Sequence, residues 1–253
     1  METRFSLKGK RALITGSSRG IGKAIALSFA EAGADVVVHY AGNQRQADEV
    51  VSQIRDMGRK AFAIQMNLSE SDCAERIWQE VESHFGGVDI LVLNASQQIK
   101  KPWEAITLDD FDNQIAVNIR SSLMLMQKTV PYMKQKGWGR ILAIGSVQEH
   151  KPHPDMLVYS ASKAAQTMMV RSLASQLAPN GITVNNLAPG VIMTDRNLDA
   201  FSDETYRQKV TNLIPAGFWG EPKDCVGAAI LLCSEAGRYI TGQTLLVDGG
   251  KAL

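Results

Sequence analysis

The sequence predicts an α/β fold in which a parallel sheet of about seven strands carries helices on both faces. Short apolar runs alternate along the chain with longer amphipathic segments, as expected for consecutive strand–helix units. Some short runs are apolar throughout, such as Val36-Val37-Val38, which is typical of a strand buried on both faces of a parallel sheet. Glycine or proline follows several of the longer segments, and these residues favour the end of a helix.

The predicted elements follow this alternation in order. The strands are predicted at residues 11–15, 35–40, 61–66, 89–93, 140–144, 182–187 and 244–247. The helices are predicted at residues 20–32, 44–57, 70–85, 108–136, 156–177 and 222–234. Right-handed strand–helix–strand units place helices on both faces of such a sheet, so residues 1–253 are expected to form one domain.

The composition excludes several classes of function. The 253 residues are 45% hydrophobic and 21% charged, which suits one large core. The net charge of +1 gives no general attraction to nucleic acid or to an acidic membrane. Residues 1–10 lack the apolar run of a signal peptide, and no run approaches the length of a membrane span. We therefore expect a cytoplasmic protein without nucleic-acid or membrane partners.

The cysteines and histidines do not form a recognisable metal motif. Cys73, Cys225 and Cys233 contain no Cys-x-x-Cys pair and are expected to be reduced, mostly buried thiols. His150 and His153 lie in a proline-containing loop without supporting ligands. No bound metal is predicted.

A glycine-rich loop joins the first predicted strand to the first predicted helix. It reads Thr15-Gly16-Ser17-Ser18-Arg19-Gly20-Ile21-Gly22. Small residues at the start of a helix let backbone N–H groups approach a pyrophosphate. We expect Gly16 to permit the tight turn, Gly20 the close approach of the ligand, and Gly22 the packing of the helix.

A tyrosine and a lysine, Tyr159 and Lys163, are four residues apart near the start of the helix predicted at residues 156–177. This spacing puts both side chains on one face of the helix. At roughly 5 Å and an effective dielectric constant near 20, the ammonium favours the phenolate by about 3 kcal/mol. The tyrosine would then exchange protons near neutral pH, although the pair alone also fits an ordinary solvated helix face.

Together these motifs resemble the short-chain dehydrogenase/reductase family. The loop 15–22 resembles its cofactor motif, and Tyr159-x-x-x-Lys163 with Ser146 thirteen residues upstream resembles its active site. Asn118 matches the fourth catalytic position of the family. The resemblance covers essentially the whole chain.

Two further segments support the resemblance near its end. Pro189-Gly190, followed by Thr194, resembles the nicotinamide-side loop, and Asp248-Gly249-Gly250 is also typical of the family.

The family resemblance implies a Rossmann-type doubly wound fold and an oxidoreductase that moves a hydride between nicotinamide and a carbonyl or secondary alcohol carbon. Tyr159 would exchange the proton of the substrate oxygen, and Ser146 would donate a hydrogen bond to the developing oxyanion. Lys163 would support the phenolate and bind the nicotinamide ribose, while Asn118 would hold a water between Lys163 and solvent. A nicotinamide-binding regulator without turnover is the alternative from a different functional class.

The residues expected to contact the cofactor come from the loops that follow the strands. They are Gly16, Ser17, Ser18, Arg19, Gly20, Ile21, Tyr40, Asn43, Asn67, Leu68, Asn94, Ala95, Ser96, Tyr159, Lys163, Pro189, Gly190, Ile192 and Thr194. Two of them depart from the family pattern: Ser96 replaces a glycine, and Asn67 replaces an aspartate that contacts adenine.

The end of the second predicted strand favours NADP(H) over NAD(H). An NAD site places a carboxylate there to bind the ribose 2′-hydroxyl, but this strand ends Val38-His39-Tyr40. Arg19, Asn43 and Arg45 would instead offer partners to a 2′-phosphate.

The substrate is expected to contact loops 96–103 and 148–158 and the segment 193–218, which would form a mobile lid. Residues 40–43 and 240–244 resemble 3-oxoacyl-carrier-protein reductases, whereas residues 146–149 and 214–218 resemble bacterial glucose and polyol dehydrogenases. An NAD(H)-dependent sugar or polyol dehydrogenase is therefore the alternative function.

Particular side chains are candidates for each branch. Glu149, His150 and His153 would bind sugar hydroxyls or else be solvated. The basic residues that would help an acyl-carrier protein to dock are Lys100, Lys101 and Lys151.

The predicted helices 108–136 and 156–177 resemble those that form subunit contacts in the family, so a homotetramer is implied. The methionines on these helices, expected to be packing residues, are Met124, Met126, Met133, Met168 and Met169.

Overall fold

A parallel sheet forms the centre of the computed structural model, which describes residues 4–197 and 201–253. In this part of the chain the sheet has seven strands in the order β3-β2-β1-β4-β5-β6-β7. The strands are β1 (Arg11–Ile14), β2 (Asp35–Tyr40), β3 (Ala61–Gln65), β4 (Ile90–Leu93), β5 (Gly139–Ile144), β6 (Ile182–Pro189) and β7 (Thr244–Val247). All pairs of neighbouring strands are parallel. The predicted doubly wound sheet is confirmed.

Helices cover both faces of this sheet. One face carries α1 (Gly20–Glu31), α2 (Gln44–Asp56) and α8 (Val226–Cys233). The other face carries α3 (Cys73–Phe85), α5 (Ser121–Lys136) and α6 (Leu157–Leu177). Two shorter helices are α4 (Leu108–Ile115) and α7 (Glu204–Thr211).

Successive residues of each central strand serve opposite cores, which explains why these strands are apolar throughout. In β1, Ile14 packs with the α1 side of the sheet, whereas Leu13 packs with the α3 side. In β4, Val92 and Leu91 divide in the same way. The period of two along a strand therefore buries every position when both faces are covered.

The sheet order creates a crevice at the carboxyl ends of β1 and β4. The chain moves outward from β1 to β2 and β3, and then returns to the other side of β1 to form β4. Loops after β1 and β4 consequently diverge to opposite faces, and such a switch point is where open α/β sheets bind ligands.

The largest difference from the predicted elements lies in residues 108–136, predicted as one helical region. The structure divides it into α4, a π-helical turn at Ala116–Arg120, and α5. A single π-turn inserts one extra residue in a helix and shifts the side chains beyond it, and such turns are frequent at functional sites. Asn118 lies in this turn.

The helix predicted at residues 222–234 also begins differently. Pro222–Cys225 forms a 3₁₀ turn, and α8 starts only at Val226. The remaining helices and strands differ from their predicted bounds by three residues or fewer at each end.

Candidate active site

A cavity of about 900 Å³ opens along the carboxyl ends of the strands. Its walls come from the glycine loop after β1, the loops after β2 to β6, the start of α6 and helix α7. This volume is at the upper end of ordinary ligand pockets, so the cavity has room for a dinucleotide together with a small substrate.

The glycine loop is held in place by Thr15 and Asn94. The Asn94 side-chain amide donates to the carbonyls of Thr15 and Gly16 at 2.8 and 3.0 Å. The Thr15 hydroxyl accepts the backbone N–H groups of Asn94 and Ala95 at 2.9 and 3.0 Å. The loop after β4 thereby fixes the shape of the loop after β1.

Two glycines are required by this arrangement. Gly16 has φ of 63°, in the left-handed region that favours glycine. A Cβ on Gly22 would lie 2.4 Å from both the Gly16 carbonyl oxygen and the Asn94 amide nitrogen. Because Gly22 has no side chain, α1 can begin directly against the loop. The N-terminus of α1 then lies beside the glycine loop, an arrangement that suits a pyrophosphate.

Eighteen of the nineteen residues predicted to contact the cofactor line the cavity. The exception is Ser17, which is fully buried behind the cavity wall. Its hydroxyl donates to the Ile14 carbonyl at 2.7 Å, and its backbone N–H donates to the His39 carbonyl at 2.9 Å. The prediction that Ser17 contacts the cofactor is therefore corrected. Ser17 faces the interior, where its hydrogen bonds join the end of β1 to β2.

The two departures from the family pattern also lie on the cavity wall. The Asn67 carboxamide oxygen accepts the backbone N–H and the hydroxyl of Ser69, each at 3.0 Å. Its NH₂ group is therefore the one that can serve an adenine, as a donor where an aspartate would accept. Ser96 adds a hydroxymethyl group to the wall beside Ala95.

His39 is a buried residue of the cavity wall that the sequence reasoning did not assign to the site. Its Nδ1 accepts the Gly16 N–H at 2.9 Å, and its Nε2 lies 3.0 Å from the Met66 carbonyl oxygen. The ring is neutral with its proton on Nε2. Burial lowers the pKa of His39 to about 4, and the hydrogen bond to Met66 opposes this shift. The sequence feature that could have indicated this residue is a histidine directly after three buried valines.

The part of the cavity next to the carboxyl end of β2, where the adenosine is expected, contains Arg19, Tyr40 and Asn43. Arg19 reaches Asp195, with Nη1 3.7 Å from Oδ2. Asn43 caps α2, because its Oδ1 accepts the backbone N–H of Gln46 at 3.1 Å. The Arg45 side chain does not line the cavity: it is 86% exposed and pairs with Glu49, with Nε 3.6 Å from Oε1.

Tyr159 and Lys163 lie on one face of α6 and both line the cavity. The Lys163 ammonium nitrogen lies 5.8 Å from the centroid of the Tyr159 ring. Lys163 is only 1% exposed, and it donates to the Ile144 carbonyl at 2.6 Å and to Gln166 Oε1 at 3.2 Å. Tyr159 stands in the first turn of α6, where the helix dipole favours a negative charge.

Ser146 follows β5 and also lines the cavity. Its hydroxyl oxygen accepts the backbone N–H of Gln148 at 3.2 Å, which leaves its O–H to donate elsewhere. Its backbone N–H donates to Glu149 Oε1 at 2.8 Å. Ser146 thus caps a short 3₁₀ turn, Val147–Glu149, and presents a donor to the cavity.

Glu149, a candidate for binding sugar hydroxyls, does not line the cavity. Its carboxylate accepts the Thr167 hydroxyl at 2.5 Å and the Asn186 side-chain amide at 3.1 Å. A Cβ at position 145 would fall 2.0 Å from Glu149 Oε1, so Gly145 provides the space for this carboxylate. Glu149 therefore holds the Ser146 turn in place.

Asn118 is fully buried behind the cavity wall. Its side-chain oxygen accepts the Gln97 N–H at 2.8 Å, and its amide donates to the Gln97 carbonyl and the Ser162 hydroxyl, both at 2.9 Å. Both amide hydrogens are thus used by the protein, and only an acceptor position remains for a water.

A chain of hydrogen bonds links Lys163 to the π-turn. Gln166 accepts from Lys163 and donates to the Ser122 hydroxyl at 3.1 Å, and Ser122 donates to the Asn118 carbonyl at 3.0 Å. Gln166 and Ser122 were missed because neither belongs to a recognised motif; their spacing from Lys163 and Asn118, i+3 and i+4, was the only signal.

The segments predicted to contact the substrate contribute unequally to the cavity. Gln148, His153 and Met156 line it from loop 148–158, whereas His150 is exposed outside it. Tyr206 lines it from the segment 193–218, and Trp219 lines it from the position just after that segment; residues 198–200 lie outside the described part of the chain. From loop 96–103, Ser96, Gln97 and Gln98 face the cavity.

The cysteines lie outside this chemistry. All three are buried and unpaired, and burial raises the pKa of Cys225 and of Cys233 to about 12. The described residues contain no cluster of three or more histidine, cysteine or acidic side chains able to hold a metal. Among the helices described, none has the length and apolar character needed to cross a membrane.

We predict that His39 makes the fold sensitive to acid. The folded state holds His39 neutral down to about pH 4, whereas the unfolded chain protonates it near pH 6.5. Stability is therefore complete above pH 6.5 and falls between 6.5 and 4, with about 2 kcal/mol lost between pH 7 and pH 5. Urea unfolding at the two pH values should show that His39→Asn lacks this loss.

His84→Asn provides the matched control, because His84 is exposed on α3. It should keep the dependence of the wild type. An unchanged difference between pH 7 and pH 5 in His39→Asn would contradict the assignment.

Comparisons with known proteins agree on the family. A family model described as Enoyl-(Acyl carrier protein) reductase matches residues 16–252. A 3-oxoacyl-[acyl-carrier-protein] reductase of Staphylococcus aureus is 39% identical over 241 residues, covering 95% of this chain and 97% of the relative. Glucose 1-dehydrogenase 2 of Bacillus subtilis is 36% identical over 249 residues, covering 98% of this chain and 96% of the relative.

A solved structure gives the same result. It is a gluconate 5-dehydrogenase from Burkholderia cenocepacia in complex with NADP and tartrate, with a TM-score of 0.93 and 36% identity. The match covers 99% of this chain and 98% of that chain. The chain therefore belongs to the short-chain dehydrogenase/reductase family and is an oxidoreductase that acts on hydroxyl or carbonyl groups.

Proposed function

We propose that the protein transfers a hydride between NADP(H) and the carbonyl or secondary alcohol carbon of a small molecule. The observation that carries this proposal is that Ser146, Tyr159 and Lys163 all line the same cavity. The glycine loop at Gly16 to Gly22 opens into the same cavity. Its bare backbone at a helix N-terminus suits the pyrophosphate of a dinucleotide. When bound, a reduced nicotinamide supplies the hydride.

Tyr159 is proposed to exchange the proton of the substrate oxygen. In reduction it gives its phenolic proton to the carbonyl oxygen as the carbon gains a hydride, and in oxidation it takes that proton back. The ammonium of Lys163, 5.8 Å from the ring centroid, and the first-turn position on α6 both favour the phenolate left behind.

Ser146 and Asn118 are proposed to support this step in different ways. The Ser146 hydroxyl can donate to the negative charge that develops on the substrate oxygen. Asn118 fixes loop 96–103 through Gln97 and fixes α6 through Ser162. We therefore propose Asn118 as a positioning residue whose remaining acceptor position can hold a water.

Replacement of Tyr159 by phenylalanine should abolish most turnover and spare cofactor binding. The variant removes only the hydroxyl that exchanges the proton, so kcat is expected to fall by a factor of roughly 100 to 10,000. NADPH oxidation in the presence of a carbonyl substrate measures turnover, and fluorescence titration measures NADPH affinity.

Tyr239→Phe is the matched control, because this tyrosine is fully exposed. Wild-type turnover in Tyr159→Phe would remove Tyr159 from the mechanism. Absence of turnover in the wild type over a broad carbonyl panel would favour a nicotinamide-binding regulator instead.

A preference for NADP(H) is supported by the adenosine end of the cavity. Among the described residues that line it, the loop 41–43 and the end of β2 provide no carboxylate for a ribose 2′-hydroxyl. The loop leads into α2, and the N-terminus of a 13-residue helix favours an anion such as the 2′-phosphate. Arg19 can reach the same phosphate if it leaves Asp195, to which it is paired at 3.7 Å.

We expect kcat/KM with NADPH to exceed that with NADH by about tenfold or more, the effect of one charge-assisted hydrogen bond. Arg19→Gln should lose most of this ratio by raising KM for NADPH. Arg45→Gln should retain the ratio, because Arg45 pairs with Glu49 outside the cavity. Steady-state kinetics with both cofactors provides the measurement. A preference for NADH in the wild type would contradict the NADP(H) assignment and would favour the alternative, an NAD(H)-dependent sugar or polyol dehydrogenase.

Both substrate branches fit the reaction, namely acyl thioesters and sugars or polyols. Two of the three lysines expected to attract an acyl-carrier protein already have partners: Lys101 pairs with Asp110 at 2.6 Å, and Lys151 donates to the backbone oxygens of Lys251 and Leu253. This weakens the carrier-protein branch. A panel of acetoacetyl thioesters, sugars, polyols, diketones and small ketones separates the branches, and activity on thioesters alone would exclude the sugar branch.

A homotetramer is proposed from the family resemblance and from an exposed apolar stripe on α6. Leu157, Ala161, Ala164 and Met168 are exposed and recur at helical spacing on one side. Met168, expected to be a packing residue within the chain, is 60% exposed, whereas Met126 and Met133 are buried as expected.

Light scattering should give a mass of about 110 kDa, four times the chain mass of 27.6 kDa. Met168→Glu should lower this mass, because a carboxylate would have to be buried at the contact. A wild-type mass equal to that of one chain would refute the proposal.

A further inference from the structure

The charges that line the cavity are strongly unequal. Among the described lining residues, Asp195 is the only carboxylate, and it is paired with Arg19. The other charged side chains of the wall are three lysines, Lys163, Lys209 and Lys251. Once the Arg19–Asp195 pair is set aside, the wall has a net positive charge.

These three lysines have different surroundings. Lys163 is bound to the Ile144 carbonyl and to Gln166, as its role in the site requires. The ammonium groups of Lys209 and Lys251 make no hydrogen bond or ion pair with residues 4–197 or 201–253. The nearest carboxylate to Lys251 in the chain, Asp248, already accepts the backbone N–H groups of Gly250 and Ala252 at 2.9 and 2.8 Å.

Lys251 lies between the loop on the nicotinamide side and the loop after Ser146. The turn 248–253 packs on Gly190 so closely that a Cβ there would lie 2.6 Å from the Asp248 Cα. Lys151 of loop 148–158 donates to the backbone oxygen of Lys251 at 3.2 Å. The backbone of Lys251 is therefore held between these two loops, and its side chain lines the cavity.

Lys209 lines the cavity from α7. Its neighbours Tyr206 and Val210 also line the cavity. Lys209 is exposed and can therefore move, whereas Lys251 is half-buried. Burial lowers the pKa of Lys251, with a smaller contribution from the positive charge of Lys151, while Asp248 raises it.

We propose that Lys251 and Lys209 form a subsite for an anionic oxygen group of the substrate, a carboxylate or a phosphate. The protein would then act on the carbonyl or alcohol group of a small organic anion. The inference rests on the proposed function, whose substrate class it specifies. A neutral sugar or polyol offers no such group, and an acyl thioester has none close to its reactive carbonyl. An anion bound there would offset the cost of half-burying the Lys251 ammonium without a partner, and the exposed Lys209 side chain can move to add a second charge-assisted contact.

The test compares each anionic substrate with a neutral counterpart that carries the same reactive carbonyl group. For the carboxylate we use 3-oxobutanoate, 4-oxopentanoate and 5-oxohexanoate, each beside its methyl ester, so that the distance from carbonyl to carboxylate also varies. For the phosphate we use dihydroxyacetone phosphate beside dihydroxyacetone. The readout is the ratio of kcat/KM for the charged member to that for its neutral partner, measured with NADPH.

Three variants are compared with the wild type: Lys251→Gln, Lys209→Gln and the control Lys60→Gln. Lys60 is exposed just before β3, at the opposite edge of the sheet from the cavity, and its substitution makes the same change of charge. We expect a wild-type ratio of about ten or more for at least one pair. Lys251→Gln should remove most of this preference, Lys209→Gln part of it, and Lys60→Gln none.

The pair that shows the preference identifies the group, carboxylate or phosphate. A wild-type ratio near one for every pair would overturn the subsite while leaving the proposed function intact, because the neutral members would still be reduced. Equal losses for charged and neutral members in Lys251→Gln would also overturn it. No reduction of any member would instead contradict the proposed function itself.

Discussion

The buried ammonium of Lys163 is the charge on which the site depends. An ion that is 1% exposed carries a desolvation cost of several kcal/mol unless the protein supplies partners. The carbonyl of Ile144 at the end of β5 and the side chain of Gln166 one turn along α6 supply them. These contacts hold α6 against the carboxyl edge of the sheet, and so they also place Tyr159 beside the cavity. Through Ser122 the same network reaches the π-turn that contains Asn118.

The Glu149 carboxylate is a second charge that shapes the site, because it fixes the turn that carries Ser146. This carboxylate binds the backbone of Ser146, the hydroxyl of Thr167 on α6 and the amide of Asn186 on β6. These hydrogen bonds therefore connect the turn after β5 to β6 and to α6. An oxyanion donor contributes most when it is held in place before the reaction, and the absence of a Cβ at Gly145 allows this bracing.

Local patterns predicted what depends on local sequence. Buried strands, helix ends at glycine, the glycine loop and the Tyr159–Lys163 spacing are all properties of short segments, and the structure reproduces their geometry. The inward orientation of the Ser17 and Glu149 side chains and the pairing of Arg19 with Asp195 were not predicted, because they depend on partners 18 to 176 residues away in sequence. The position of Lys251 likewise follows from the packing of the turn 248–253 on Gly190. The residues that we propose for substrate recognition depend on such long-range contacts, whereas those that we propose for proton transfer belong to short sequence motifs.

We propose that the glycine loop binds the nicotinamide cofactor whose hydride is transferred to the substrate held by Ser146, Tyr159 and Lys163. NADPH that carries deuterium on the transferable position of nicotinamide C4 tests it directly, with mass spectrometry of the alcohol formed from a reduced carbonyl compound. Our account predicts one deuterium on the former carbonyl carbon in the product of the wild type, and little product from Tyr159→Phe. Alcohol without deuterium, or equal amounts of labelled alcohol from both proteins, would contradict it.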